Sequence, residues 1–272
     1  MGTWMSRPTP FPDLNDVLQR LVPGVQEVLG RDFLGAYLQG SFAVGDFDRH
    51  SDVDFIIVIL DELSSEQVVA LQAMHRSIFD LACAWAQHLE GSYFPRDVLR
   101  RPPEPTQQLW YLDNGSRELV RSEHCNTLVV RWQVREHGIV LAGPPPATLV
   151  DPVPESALRR EIYAVIHDWG GEILADPEHY NNRFYQGFIV LSYCRMLHSL
   201  YTGEVRSKRR GAEWAIANLD PAWAGLIDRS WATRPNPEVS VRQPADPQDL
   251  AATLDFVQYS LRLSEQAGFD HR

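Results

Sequence analysis

The sequence predicts an α+β chain whose strands are confined to the first half and whose second half is helical. Three observations carry this reading. Short β-rich runs occur at 33–38 and 53–59, with a weaker one from Glu90 to Phe94. The stretch GPPPATLVDPVP at 143–154 breaks any continuous element. Beyond it, apolar residues recur at helical spacing with hardly any strand signal. The proline run marks the expected boundary between two domains, 1–145 and 155–272.

In chain order, Asp13 followed by Leu14, Val17, Leu18, Leu21, Val25 and Val28 predicts a leading helix, with Asp13 as its cap and Pro23 as a kink or a new first turn. The strands at 33–38 and 53–59 are joined by GSFAVGDFDRHSD, a stretch of small and acidic residues that reads as a connection. Residues 64–89 carry Val68, Leu71, Ile78, Leu81, Trp85 and Leu89 near a 3.6 period and predict a second helix before the strand that opens at Glu90. The first 100 residues thus read α-β-β-α-β. The passage from 102 to about 125 is mixed. A helix is expected at 126–137, a short strand at 139–142, and four or five helices at about 155–169, 183–202, 209–218, 221–232 and 247–266.

Composition narrows the function. With 44% hydrophobic and 22% charged residues, the chain has the apolar content of a globular protein rather than a disordered one. The net charge of −11 repels a nucleic-acid backbone and attracts cationic small molecules, which disfavours general nucleic-acid binding. No run of about 18 apolar residues or signal-peptide core is present, so neither a membrane span nor secretion is expected. Cys83, Cys125 and Cys194 form no CxxC knuckle and no disulfide framework, and are read as buried thiols of a cytoplasmic protein. Lys208 is the chain's single lysine, which makes it worth following.

The chemistry concentrates at one place. Gly40 and Ser41 close the first strand, and after ten intervening residues Asp52-Val53-Asp54 opens the second, so two carboxylates one residue apart share a strand face. A Gly-Ser turn lets backbone N–H groups and a hydroxyl approach a polyphosphate, and paired carboxylates supply the hard oxygen ligands that Mg²⁺ takes alongside substrate phosphates. Asp61, Glu62 and Glu66 lie at the far end of that strand, and Asp46 and Asp48 read as solvated loop acids.

The segment LQGSFAVGDFDRHSDVDFIIVI resembles the signature of the nucleotidyltransferase superfamily that includes DNA polymerase β, and within it the aminoglycoside adenylyltransferases that modify streptomycin and spectinomycin. The likeness extends to REHGIVLAGP at 135–144, DPVP at 151–154, and TG at 202–203 with Lys208 and Glu213-Trp214-Ala215. It is patchy between about 100 and 130. The resemblance implies a catalytic domain with a mixed sheet, a helical C-terminal domain, and an active site in the cleft between them. It further implies antibiotic resistance chemistry: Mg²⁺-dependent transfer of AMP from ATP to a hydroxyl of a small cationic acceptor. Asp52 and Asp54 would hold metal, and Glu90, at the place of a third family carboxylate on the next strand, would be the general base. Gly40, Ser41, Ser51, Arg195 and Lys208 match nucleotide-contacting positions. Ser51 reads equally as a capping hydroxyl, and Trp231, near the family's adenine-stacking aromatic, reads equally as a core residue. Arg206, Arg209 and Arg210 read as a solvated basic face.

The likeness fails on the drug side. Where the relatives carry acidic and histidine side chains at the start of the long C-terminal helix, this chain has Tyr185-Gln186-Gly187-Phe188, with Glu172, Asp176, Glu178 and His179 nearby. The polar stretch TyrLeuAspAsnGlySerArg at 111–117 and His124, read as a structural histidine with contact to an acceptor as its alternative, lie where the likeness is weakest. Two other readings are a protein-adenylylating enzyme of the antitoxin type and a nucleotide-binding sensor without turnover. The helical half argues against the first, and intact Asp52, Asp54 and Glu90 argue against the second.

Overall fold

A computed structural model describes residues 7–49, 51–234, 241–266 and 268. The chain divides into two compact units, residues 1–153 and 154–272.

The first unit is built on a six-stranded sheet of order β5-β4-β3-β2-β1-β6. The strands are β1 (Phe33–Leu38), β2 (Val53–Ile59), β3 (Leu89–Pro95), β4 (Leu109–Leu112), β5 (Leu119–Ser122) and β6 (Ile139–Ala142). Only β2 and β3 pair in parallel, in register from Val53 with Leu89 to Ile59 with Pro95, and every other pairing is antiparallel. The parallel pair requires a crossover, supplied by a helix at Ser65–Phe79.

Two apolar layers cover the sheet. On one face Val53, Phe55, Ile57 and Ile59 of β2 pack with Leu14, Leu18, Leu21 and Val25 of α1 (Pro12–Leu29), and with Leu71 and Ile78 of the crossover helix. On the other, Ile56, Val58, Phe94 and Tyr111 join Leu99, Val134 and Leu149. This second layer includes α4 (Arg96–Arg100) and α5 (Leu128–His137); α2 is the single turn Gly40–Ala43, and α3 is the crossover helix. Arg131 of α5 is buried in this layer, where its guanidinium donates to the carbonyls of Val98, Arg101 and Thr127 and to Asn126 Oδ1, so carbonyl dipoles help to hold the buried charge.

Several expectations change in detail. The leading helix begins one residue before Asp13, with Pro12 in its first turn, and runs through Pro23. Helix α3 stops at Phe79 rather than continuing toward 89. Its Ser64/Gln67 capping box fixes the start, while Trp85 and Ala86 reach the core from a separate 3-10 turn, Ala84–Gln87, that steers the chain into β3. Within the mixed passage lies an antiparallel pair, β4 and β5, whose four-residue strands are too short for alternation to declare them. Of the cysteines, Cys125 and Cys194 are buried and Cys83 only partly so; none forms a disulfide.

The second unit contains α6 (Glu155–Ala175), α7 (Arg183–Thr202), α8 (Lys208–Asn218), α9 (Ala224–Ala232) and α10 (Pro247–Gln266). Helix α7 is central and touches the other four, which is why Ile189, Val190, Leu191, Tyr193, Cys194, Leu197 and Leu200 are all buried. Helix α6 continues past 169 through Gly170 and Gly171. A side chain at Gly170 would come within 2.9 Å of the Tyr193 hydroxyl, so this glycine permits close helix contact rather than ending the helix. No helix among the described residues is long and apolar enough to cross a membrane.

Candidate active site

Strand geometry gathers the acids. Because β2 and β3 run in the same direction, both begin at one edge of the sheet, and Asp54 lies directly opposite Glu90 in the ladder. Residues at period 2 share a face, so Asp54 and Glu90 head the same face whose deeper positions are the apolar Ile56, Val58 and Phe94. Asp52 immediately precedes β2. Two ionised carboxylates about 5 Å apart on neighbouring strands repel by roughly 3 kcal/mol at an effective dielectric near 20, an arrangement that a cation relieves. Glu90 is sheltered, with its side chain 14% exposed.

The β1–β2 connection is pressed onto this pair. Gly40 opens the turn α2 with φ +60°, and a Cβ placed on it would lie 2.7 Å from Asp54 Cγ. Only glycine satisfies both the left-handed backbone and the close approach to the carboxylate. Gln39 N–H donates to the Asp54 carbonyl at 2.9 Å, which ties the end of β1 to the start of β2. Ser41 follows in the same turn. Ser51 accepts from Asp48 N–H at 2.9 Å through its hydroxyl, the capping role that was one of its two readings. Asp46 and Asp48 are half-buried rather than solvated, and Glu62 pairs with Arg121 at the far end of β2.

Residues of the polar stretch at 111–117, with His88 and His124, complete the cluster. The Tyr111 hydroxyl of β4 lies 2.7 Å from Glu90 Oε1 and 2.9 Å from Asp113 Oδ1. Burial, then the charges of Glu90 and Asp113, hold its proton far above the usual phenol range, so it remains a donor. In the turn after β4, Asn114 Nδ2 donates to Asp52 Oδ1 at 2.6 Å, and His88 Nδ1 lies 3.1 Å from Asn114 Oδ1. His124, read from sequence as structural or as an acceptor contact, lies beside Glu90. It is exposed, its Nε2 stands 3.4 Å from Glu90 Oε1, and hydrogen bonding to Glu90 raises its pKa against the opposing effect of desolvation. The Asp-Asn-Gly sequence at 113–115 is the turn signal that would have located this element, because Asn and Asp at a strand end commonly bond back across the turn.

Among the described residues, no group of three or more His, Cys, Asp or Glu side chains is gathered as a metal cage. Mg²⁺ is held by one or two carboxylates together with substrate phosphates and water rather than by an all-protein cage. Asp52 and Asp54, hard oxygen donors one residue apart with Gly40 leaving room at the second, fit that mode.

The basic candidates lie in the second unit. Arg195 is on α7, and Lys208 is the first residue of α8, its Nζ 4.7 Å from the centre of the Phe188 ring. Lys208 also lines a small cavity with Arg183, Phe184, Leu191 and Arg234. Arg206 pairs with Glu204, and Arg209 and Arg210 both pair with Glu213, in accord with a solvated basic face. Trp231 is only partly buried, and the Arg234 guanidinium lies 4.0 Å from the centre of its ring. Glu172, Asp176, Glu178 and His179 are exposed; Asp176 accepts from His179 N–H and Glu178 from Asn181.

The family described as "Aminoglycoside adenylyltransferase, C-terminal domain" matches residues 148–259. An aminoglycoside (3'')(9) adenylyltransferase of Rhizobium radiobacter is 30% identical over 226 residues, covering 79% of this chain and 81% of that protein. A spectinomycin 9-adenylyltransferase of Campylobacter jejuni is 23% identical, covering 77% and 81%. Among solved structures, a spectinomycin adenyltransferase from Enterococcus faecialis, crystallised with ATP and spectinomycin, shares the fold with a TM-score of 0.66 at 13% identity, covering 91% of this chain and 98% of that one.

Proposed function

Because the chain belongs to the family of aminoglycoside adenylyltransferases, we propose that it transfers AMP from ATP, with Mg²⁺, to a hydroxyl of an aminoglycoside-like acceptor and releases pyrophosphate. The observation that carries the active-site assignment is the in-register pairing of Asp54 with Glu90, with the Tyr111 hydroxyl on Glu90.

Each residue has a distinct task. Asp52 and Asp54 would hold the metal, which when bound neutralises charge on the entering and leaving oxygens. Gly40 and Ser41 would present backbone and hydroxyl groups to the phosphates, and Ser51 would support the same loop. Glu90 would accept the acceptor's hydroxyl proton, since a hydroxyl is a poor nucleophile until a positioned base removes that proton. Tyr111, which stays protonated, steadies the Glu90 carboxylate, and His124 lies beside it on the exposed side. Arg195 and Lys208 would bind phosphate oxygens and stabilise charge that develops on pyrophosphate.

Incubating the protein with ATP, Mg²⁺ and a panel that includes spectinomycin and streptomycin should give an AMP-adduct mass on an acceptor together with pyrophosphate. No adduct on any aminoglycoside, with adduct on a co-expressed protein, would move the acceptor to a polypeptide. ATP binding without pyrophosphate release would replace the enzyme by a sensor. For Lys208, an amine-selective reagent should label the side chain several-fold more slowly when Mg-ATP is present. Equal labelling in both states would remove Lys208 from the nucleotide site.

A further inference from the structure

The two acids proposed to hold metal are fixed by different means. Asp54 lies within the β2 ladder, with Gly40 packed against its carboxylate. Asp52 precedes the first ladder residue, Val53, so strand pairing alone does not orient it. Its Oδ1 accepts from Asn114 Nδ2 at 2.6 Å. The amide is in turn oriented: with Nδ2 committed to a carboxylate, Oδ1 must accept, and the group facing it is His88 Nδ1 at 3.1 Å. The three residues come from three places, namely the start of β2, the residue before β3 and the turn after β4. That turn is also anchored beneath His88, because Gly115 N–H donates to the Gln87 carbonyl at 3.1 Å.

We infer that Asn114, braced by His88, is a positioning residue that sets the Asp52 carboxylate for the divalent cation. The inference rests on the metal reading of Asp52 and Asp54 given above. A neutral amide donor suits the task, because it binds one carboxylate oxygen without adding a positive charge that would repel the metal. Outer-sphere partners of this kind typically govern metal affinity or activity by about 10–100-fold.

The test compares binding of a non-hydrolysable ATP analogue by calorimetry, once as its Mn²⁺ complex and once free of metal. Asn114→Ala should weaken binding of the Mn²⁺ complex by about tenfold or more and leave binding of the metal-free analogue within about twofold. His88→Leu should act in the same direction with a smaller effect. A merely structural role for Asn114 would weaken both forms together, and that result would overturn the inference, as would unchanged affinity for the Mn²⁺ complex. Asn114→Ser, which keeps a small polar side chain in the turn, replaces the alanine variant if thermal melting shows that variant to be unfolded, with the same expectation. Asp54→Asn separates the two levels of the argument. If it loses the Mn²⁺ preference while Asn114→Ala keeps it, the positioning role falls and the metal reading stands. If Asp54→Asn and Asp52→Asn both keep it, the metal reading itself falls.

Discussion

Glu90→Gln should lower AMP transfer by about 10²–10⁴-fold while ATP binding is retained, the span expected when a positioned general base is lost. The amide is nearly isosteric with the carboxylate and can still accept from Tyr111, which lies 2.7 Å away, so the hydrogen-bonded frame around it survives. What disappears is the ability to take a proton. Asp54→Asn should differ in kind, because it removes a proposed metal ligand and should weaken Mg-ATP binding as well as turnover. Single-turnover rates measured beside calorimetric ATP affinities distinguish the two. A Glu90→Gln variant that loses ATP affinity in step with turnover would recast Glu90 as a metal ligand, and one with parental turnover would remove it from the reaction.

Acid should destabilise the first unit through His75. This side chain, on α3, is fully buried, with Nε2 2.7 Å from the Tyr93 hydroxyl, its ring stacked near Phe55, and Nδ1 without a hydrogen-bond partner. Burial lowers its pKa from 6.5 to about 3, because an imidazolium there would lose its hydration. The folded state therefore binds fewer protons than the unfolded state between those two values. The contribution of His75 is fully present above about pH 6.5 and declines by about 1.4 kcal/mol per pH unit as the pH falls toward 3. His75→Phe should cost stability at neutral pH, since it strands the Tyr93 hydroxyl, yet it should lose less on acidification. Between pH 7 and pH 4.5 the parent should lose about 2–3 kcal/mol more than the variant by urea unfolding. Equal losses would mean that His75 is hydrated or rearranged when folded.

Much of this molecule was legible because local signals and tertiary demands agree. Asp54 alternates with the apolar positions of β2 and Asp52 stands one residue before that strand, so the sequence spacing brings the two acids to the start of β2, and the Gly40-Ser41 turn before them follows from glycine's backbone freedom. Helix α7 and helix α10 were found at their observed limits, because long segments repeat their pattern often enough to be read. The β4–β5 pair escaped for the opposite reason: four residues hold only two per face, and Trp110 and Arg121 side by side read as neither strand nor helix. With that hairpin went Tyr111, Asp113 and Asn114, whose roles depend on long-range pairing with β3 and on contacts to Glu90 and Asp52 that spacing does not encode. That His124 stands beside Glu90 is likewise not encoded in spacing, because a lone histidine carries no sign of what faces it.

The single parallel pairing in the sheet has a consequence for how the chain finds its native state. Reversing β3 would have sent Glu90 to the opposite edge from Asp54, so the acidic cluster exists only once the β2–β3 crossover has closed. That connection is roughly twice as long as the one between β1 and β2, and doubling a loop adds only about 0.6 kcal/mol of closure entropy. The thermodynamic burden of a parallel neighbour is therefore small, and its effect falls instead on rate, since contacts between residues far apart in the chain form slowly. Nascent first units should hold β1, β2 and α1 together before they hold a complete acidic cluster, and folding of the crossover segment and arrival of Glu90 beside Asp54 become one event.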